Sequence, residues 1–300
     1  MFDRYDSILV GGSGFVGTQL GLRLAGRGER VLNLSRHHPK EPTPGVDFSA
    51  VDFGSQKKTV HQTLPRTDSL VILIGQIGPD FDPAADRRAL KAIIDLVNVQ
   101  KESMKVLYCS TVLVYGDCEA PAQESDSLSP VEPYAQHKAE NESLLKNLLA
   151  KRHHLGILRI ANVFGDIRSR GFVSLVMNRI LVPSSGVFRV NGDGKQERDY
   201  IYVDDLAEAI DAVKSGLDGW DTVNVSTGTS RTLLAVIDAV QSVCKKDLPF
   251  EVTQQSVAEA SKIRISNGRL REVYAYAPRH TFEKGLALMW NRALAVKLPT

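Results

Sequence analysis

The sequence predicts an α/β protein with a doubly wound parallel sheet and a smaller C-terminal region. Short apolar runs alternate with helical patterns through the first half of the chain, and a glycine-rich turn follows the first run directly. Strands that recur with helices between them form parallel sheets, because each crossover packs a helix on a sheet face. The runs 71–74 and 106–108 are continuously hydrophobic, as expected for strands covered on both faces.

The predicted elements follow this alternation in chain order. Strands are predicted at 7–10, 30–34, 46–50, 70–74, 106–109 and 156–160. Helices are predicted at 15–26, 84–101 and 134–153. The alternation ends near residue 166, after which Gly and Pro punctuate the chain irregularly. We therefore predict a first domain over 1–166, with 199–226 returning to it, and a mainly substrate-binding region over 167–300.

Composition excludes several classes of function. The 300 residues carry a net charge of +2, which gives no electrostatic reason to expect nucleic acid or an anionic membrane as partner. No apolar signal region begins the chain and no run is long enough to span a membrane. Cys109, Cys118 and Cys244 are scattered without metal-ligand spacing. They predict reduced thiols in a cytoplasmic protein that has no metal site.

A phosphate-binding loop is predicted directly after the first strand. Gly11, Gly14 and Gly17 stand three residues apart and lead into a helix. Gly11 permits a tight turn, Gly14 lets backbone approach a pyrophosphate, and Gly17 allows close packing of helix on strand. The first helical residues, Phe15 and Val16, present unpaired N–H groups at the positive end of the helix dipole. A plain tight turn is the alternative, but the strand–loop–helix context is that of a Rossmann dinucleotide site.

The second strand bears on which dinucleotide is bound. An NAD site normally places Asp or Glu near position 35 to hold the ribose 2′-hydroxyl, whereas this chain has Ser35 followed by Arg36. A hydroxyl and a guanidinium suit the 2′-phosphate of NADP. The sequence therefore favours NADP modestly over NAD, and a solvated surface arginine is the alternative. Asp52 and Phe53 are predicted to lie near the adenine.

Tyr134 and Lys138 are candidates for proton chemistry. Four residues apart on a predicted helix, their side chains lie on one face. An ammonium group beside a phenol favours the phenolate, so we expect the pKa of Tyr134 to be lowered. A tyrosine tuned in this way can move a proton to or from a sugar oxygen. The pair alone also fits a half-buried tyrosine beside a solvated lysine.

With the glycine loop and Ser110-Thr111 at a strand end, the chain resembles the extended short-chain dehydrogenases/reductases. More narrowly it is similar to the nucleotide-sugar epimerase, dehydratase and reductase group. Looser motifs in the same order support the resemblance: Cys109-Ser-Thr-Val-Leu-Val-Tyr-Gly116, Leu158-Arg-Ile-Ala-Asn-Val-Phe-Gly165, Arg198-Asp-Tyr-Ile-Tyr-Val-Asp-Asp205 and Thr281-Phe-Glu-Lys-Gly285.

The resemblance implies roles for individual residues. Thr111 would hydrogen-bond the reacting oxygen, Tyr134 would act as acid and base, and Lys138 would bind the nicotinamide ribose of the cofactor. Substrate contacts are implied for Ser110, Asn162 and Arg198. A homodimer formed through helices 84–101 and 134–153 is also implied.

Departures from the family pattern narrow the chemistry. Sugar 4,6-dehydratases carry an Asp-Glu pair after the active-site Thr, where this chain has Val112 and Leu113. Apolar side chains cannot serve as acid or base, which argues against dehydration. A second arginine for the diphosphate would fall near 254–255, with Lys262 or Arg264 as replacements. An asparagine common on the helix after the fourth strand is not evident around 88–91.

Two functions remain open on the sequence. The first is hydride transfer at a carbon of a nucleotide-activated sugar, run once by a 4-ketoreductase or twice by an epimerase. The second is a non-catalytic dinucleotide sensor of the same fold. Such a sensor would be expected to lose the Tyr–Lys pair or the active-site hydroxyl, and this chain keeps Thr111, Tyr134 and Lys138.

Overall fold

Seven parallel strands form the central sheet of the computed structural model, which describes residues 4–39, 41–55, 63–75, 81–183, 186–253 and 259–295. These strands are β1 (Tyr5–Val10), β2 (Val31–Ser35), β3 (Val46–Ala50), β4 (Thr67–Ile72), β5 (Lys105–Thr111), β6 (His154–Ile160) and β10 (Trp220–Val225). Their spatial order is β10-β6-β5-β4-β1-β2-β3. The order 3-2-1-4-5-6 within it is the doubly wound Rossmann arrangement, so the predicted fold class is confirmed.

Helices cover both faces of this sheet. They include α1 (Phe15–Gly26), α2 (Pro83–Asn98), α3 (Pro133–Leu148) and α5 (Val203–Gly216). Helix α2 begins where Asp82 accepts hydrogen bonds from the backbone N–H groups of Ala84 and Ala85, with Pro83 in the first turn. Two apolar clusters lie on the opposite faces, one under α1 and α5 and one under α2 and α3.

The remaining elements form a second layer of structure beyond β6. Strands β7 (Asn162–Phe164), β9 (Glu197–Tyr202) and β11 (Ser230–Thr232) make a three-stranded sheet, and β8 (Phe188–Val190) pairs with β12 (Phe250–Val252). A third apolar cluster joins β7, β8, β9 and β12 to the helices α4 (Phe172–Leu181), α6 (Leu233–Cys244) and α8 (Phe282–Ala295). The short helix α7 (Gly268–Glu272) packs against β10.

The predicted strands all exist; the third has its predicted bounds, and the ends of the others are shifted. The fifth strand extends from Lys105 to Thr111, and the second runs to Ser35 instead of ending at 34. Two helices end earlier than predicted, α2 at Asn98 and α3 at Leu148. Beyond α3 the buried Leu149 adopts extended backbone and leads the chain back toward the sheet. Among the described residues, no helix has the length and apolar character that crossing a membrane requires.

Candidate active site at the carboxyl ends of the strands

The glycine loop leaves the N-terminus of α1 open. Gly11 stands at φ +84°, and its N–H donates to the carbonyl of Leu34 at 2.9 Å. Gly14 caps α1 without a side chain, and a β-carbon there would meet only Gly11 O, at 3.4 Å. A β-carbon at Gly17 would lie 2.5 Å from the α-carbon of Gly12. Gly17 therefore permits a close approach of α1 to the glycine loop itself. The open N-terminus of α1 fits a pyrophosphate.

A buried polar network braces this loop against the end of β2. Ser35 Oγ donates to Asn33 Oδ1 at 2.7 Å and accepts from the backbone N–H of Ser13 at 3.2 Å. Asn33 Nδ2 donates to Ser13 Oγ at 3.0 Å. The Ser35 hydroxyl is thus already engaged in holding the loop. Arg36 is exposed, and within the described ranges its guanidinium has no hydrogen-bond or ion-pair partner.

The other predicted cofactor residues have different surroundings. Phe15 and Val16 are half-buried in the first turn of α1. Asp52 is exposed and its Oδ1 accepts from the N–H of Gly54 at 3.0 Å. Phe53 is 6% exposed and packs in the apolar cluster under α2. Of the two predicted adenine neighbours, only Asp52 presents its side chain to solvent.

Helix α3 and strand β5 bring the predicted catalytic lysine and tyrosine together. Lys138 is 1% exposed, and its Nζ donates to the carbonyl oxygens of Ile74 at 2.8 Å and Cys109 at 2.9 Å. The same Nζ lies 5.8 Å from the ring centroid of Tyr134. Gly75, at φ +103°, leaves the space that the ammonium fills.

The expected pKa of Tyr134 is wrong in direction. Burial raises the pKa of this phenol above its ordinary value, and the negative charge of Asp86 raises it further. Burial also lowers the pKa of Lys138. The sequence argument considered only the ammonium and omitted the cost of placing a phenolate in an apolar site. In this structure Tyr134 is therefore a phenol at neutral pH.

Thr111 ends β5 and starts a turn of 3₁₀ helix over Val112–Tyr115. Its side chain is 7% exposed, and its Oγ1 accepts from the N–H of Leu113 at 3.3 Å. Val112 is 1% exposed and packs in the core, with Leu113 partly buried against it. The two positions after the predicted active-site hydroxyl therefore present no acid or base.

Ser110, a predicted substrate contact, lies in the protein interior. It is 4% exposed and donates its hydroxyl to Glu142 Oε1 at 2.5 Å. Glu142 also pairs with Arg159 at 2.8 Å, with the two side chains 1% and 3% exposed. Because successive strand residues point to opposite faces, Ser110 and Thr111 lie on different sides of β5. Ser110 joins a buried ion-pair network under α3.

Asn162 and Arg198 lie in the second sheet. Asn162 begins β7 opposite Tyr200 of β9, and its amide has no hydrogen-bond partner in the described part of the chain. Arg198 is 7% exposed, and its guanidinium lies 3.4 Å from a carboxylate oxygen of Glu259. Both side chains belong to the region beyond the carboxyl ends of the main strands.

The candidate replacements for the second diphosphate arginine are already paired. Arg264 forms a bidentate ion pair with Glu197, with both N–O distances 2.7 Å. Lys262 lies 3.2 Å from both carboxylate oxygens of Glu119. Positions 254–255 lie outside the described residues.

Asp86 and His137 are near the site, and the sequence argument missed them. Asp86 on α2 accepts from His137 Nε2 at 2.7 Å. The place of His137 directly before Lys138 is a signal that was available, since a histidine inside a catalytic motif is a candidate for proton chemistry. Asp86 gives no comparable signal, because α2 reaches α3 only in the folded chain.

Comparisons with known proteins identify related sequences. The family model described as "NAD dependent epimerase/dehydratase family" matches residues 7–225. A UDP-glucose 4-epimerase of Rhizobium meliloti (strain 1021) is 27% identical, over 95% of each chain. A dTDP-6-deoxy-L-talose 4-dehydrogenase (NAD(P)(+)) of Kitasatospora kifunensis is 24% identical, over 94% of each chain. Relatives of similar identity also include a decarboxylase and a 4,6-dehydratase.

The fold is shared with solved structures. The UDP-glucose 4-epimerase of Thermus thermophilus in complex with NAD superimposes with a TM-score of 0.81 at 22% identity. The match covers 98% of this chain and 100% of that one. At this identity the likeness establishes the fold, and the chemistry has to be argued from the site.

Proposed function

The chain belongs to the NAD dependent epimerase/dehydratase family, and we propose that it catalyses hydride transfer at a carbon of a nucleotide-activated sugar. The observation that carries this proposal is the Lys138 ammonium, fixed by two carbonyls beside the Tyr134 phenol. Relatives that act on UDP- or dTDP-linked sugars support the substrate class. The nicotinamide cofactor would exchange a hydride with the sugar carbon.

The side chains would handle the proton and the geometry. Tyr134, a phenol at neutral pH, would donate its proton to a ketone oxygen, and in the reverse direction accept one from a hydroxyl. Thr111 would orient that oxygen through its hydroxyl. Lys138 would hold the ribose of the cofactor and stabilise the negative charge that develops on Tyr134.

The site argues against 4,6-dehydration. Eliminating water needs an acid and a base close to the reacting sugar, and Val112 and Leu113 supply neither. The choice between ketoreductase and epimerase can be made by product. A reductase consumes one reduced cofactor per product, whereas an epimerase converts one sugar isomer to another with no net change in cofactor.

We also propose that Asn162 and Arg198 grip the nucleotide-sugar. The guanidinium of Arg198 is buried, donates to the carbonyl oxygen of Glu197 at 2.9 Å and lies 3.4 Å from a carboxylate oxygen of Glu259. A diphosphate offers the same guanidinium stronger bidentate acceptors. Arg198→Lys is expected to raise KM for the nucleotide-sugar more than it lowers kcat, because it weakens a contact remote from the reacting carbon.

For the cofactor we propose a modest preference for NADP over NAD, at a site formed by the glycine loop and the end of β2. Arg36 supports this, since its exposed guanidinium is unpaired within the described ranges. Arg36→Ala should weaken NADPH binding by roughly 10-fold and leave NADH binding unchanged, as expected for one charge-assisted contact. Equal dissociation constants for the two cofactors in the wild type, unchanged in the variant, would contradict the preference.

The catalytic proposal is tested by turnover of UDP- and dTDP-linked sugars and 4-keto sugars by the wild type and Tyr134→Phe. Wild-type activity that falls about 1000-fold or more in a variant with unchanged cofactor affinity supports it. Binding of cofactor by both proteins without turnover of any substrate would instead favour a dinucleotide sensor.

We further propose a homodimer that pairs α2 and α3 with their copies. Exposed apolar side chains at the ends of these helices, Val99 and Leu148, support such a surface. The mass measured by light scattering should be twice 33.0 kDa. Replacing Leu148 with Glu should shift the mass toward the monomer, and a wild-type monomer would contradict the arrangement.

A further inference from the structure

A buried polar cluster lies between α2 and α3, beside the Lys138 ammonium. Asp86 Oδ2 accepts from His137 Nε2 at 2.7 Å and from Asn141 Nδ2 at 3.0 Å. The side chains of His137 and Asp86 are only 4% and 9% exposed. Asn141 Nδ2 also donates to the hydroxyl of Tyr108 at 3.1 Å. Side chains from α3 thus hold one carboxylate at a fixed place near the site.

The second oxygen of this carboxylate faces the lysine. A β-carbon at Gly75 would lie 2.6 Å from Lys138 Nζ and 3.8 Å from Asp86 Oδ1, so both atoms border the same small space. Within the described part of the chain the two groups form no direct ion pair. Lys138 donates instead to two neutral carbonyls. Asp86 therefore acts on the ammonium through space, in an interior where charges are weakly screened.

The charge of Asp86 acts on both Lys138 and Tyr134. Burial lowers the pKa of Lys138, and Asp86 is the largest influence that opposes this change. Burial raises the pKa of Tyr134, and Asp86 raises it further. Burial also raises the pKa of Asp86, but the hydrogen bonds from His137 and Asn141 and the nearby positive charges, that of Lys138 first, together keep the pKa below its ordinary value. Asp86 is therefore anionic at neutral pH.

Other groups near Asp86 are neutral or already paired. Burial raises the pKa of Tyr108 well above its ordinary value and that of Cys109 to about 12, so both stay protonated. Glu142 is neutralised by Arg159. The remaining charged groups on α2, on α3 and in the loop that packs on α2 lie at the surface: Arg87, Arg88, Lys91, Asp95, Glu140, Lys146 and Asp52.

We propose that Asp86, held by His137, is a positioning residue whose negative charge sets the pH range over which Lys138 remains an ammonium and Tyr134 a phenol. The inference rests on the proposed function, because it assigns those two residues to the reaction. It adds a carboxylate–histidine pair on neighbouring helices as the element that sets the protonation of Lys138 and Tyr134.

The test is Asp86→Asn, which keeps the shape and an acceptor for His137 but removes the charge. Without that charge the pKa values of Lys138 and Tyr134 both fall. Ketone reduction needs both groups protonated, so the alkaline limb of its pH–rate profile should move to lower pH by about one unit. Glu140→Gln is the matched control. It removes an exposed carboxylate that pairs with Arg87 across the same two helices, and should leave the profile unchanged.

A binding measurement separates this inference from the proposed function. The affinity for NADH, measured by NADH fluorescence, should decline with rising pH as Lys138 loses its proton. In Asp86→Asn this decline should occur about one pH unit lower. If the wild type binds NADH but turns over no sugar, the proposed function is wrong. The role of Asp86 can still be tested in that case, because the pH dependence of NADH affinity does not require turnover. If kcat falls in Asp86→Asn while the pH–rate profile and the pH dependence of NADH affinity match those of the wild type, Asp86 has only a structural role. Should Asp86→Asn not fold, Asp86→Ser carries the same predicted direction.

Discussion

Gly75 gives Lys138 the space it occupies, and replacing it tests the geometry of the candidate site. A β-carbon at this position would lie 2.6 Å from Lys138 Nζ and 2.8 Å from Cε. Side chains essentially never approach this closely, so Gly75→Ala should displace the ammonium from the carbonyl oxygens of Ile74 and Cys109. The same backbone stands at φ +103°, which alanine adopts only with strain.

The magnitude follows from these two effects. A non-glycine residue in the left-handed region costs about 1–2 kcal/mol, and losing at least one hydrogen bond to a charged group costs roughly 1.5–3 kcal/mol. We expect the free energy of unfolding to fall by about 2.5–5 kcal/mol in Gly75→Ala. We also expect kcat/KM to fall by about 100-fold, the equivalent of about 2.7 kcal/mol in transition-state binding.

Gly28→Ala supplies the matched control. Gly28 also stands at positive φ, +84°, but no heavy atom lies within 4 Å of its hypothetical β-carbon. This variant should show the backbone strain in urea unfolding and keep wild-type turnover and cofactor affinity. If Gly75→Ala matches Gly28→Ala in all three measurements, Lys138 does not occupy the described position.

Three further outcomes concern stability and the phosphate loop. Glu142→Ala should lower the free energy of unfolding by about 3–5 kcal/mol, because it leaves a buried arginine without its carboxylate partner. Loss of the exposed Glu251 should change the free energy of unfolding by less than about 1 kcal/mol. Equal effects of the two substitutions in urea unfolding would contradict the buried pair. Burial lowers the pKa of His153, so the unfolded chain binds this proton more readily and stability should fall as pH drops below about 6.5. His153→Leu should flatten that decline, and an equally steep decline would oppose the assignment. Gly17→Ala places a β-carbon against the glycine loop and should weaken NADH binding at least 10-fold, a loss of at least about 1.4 kcal/mol. Gly26→Ala, where a β-carbon meets open space, should leave NADH binding unchanged.

Local patterns made the fold and part of the site predictable. The glycine loop, the strand ends and the spacing of Tyr134 and Lys138 are short-range features, and the structure has them where the sequence indicated. The pKa of Tyr134 was not predictable in direction, because burial and the charge of Asp86 depend on how α2 packs on α3. Ser110 was assigned by its place in a motif, but strand alternation turns its hydroxyl toward Glu142.

Transfer of isotope between substrate and cofactor tests the central claim most directly. Nucleotide-sugars deuterated at C4 would be incubated with the protein and oxidised cofactor, and deuterium in the nicotinamide ring measured by mass spectrometry. The account predicts labelled cofactor with the wild type, and a rate reduced about 1000-fold in Tyr134→Phe, which still binds cofactor. Label transferred equally fast by Tyr134→Phe, or no transfer from any sugar to cofactor bound by the wild type, would contradict it.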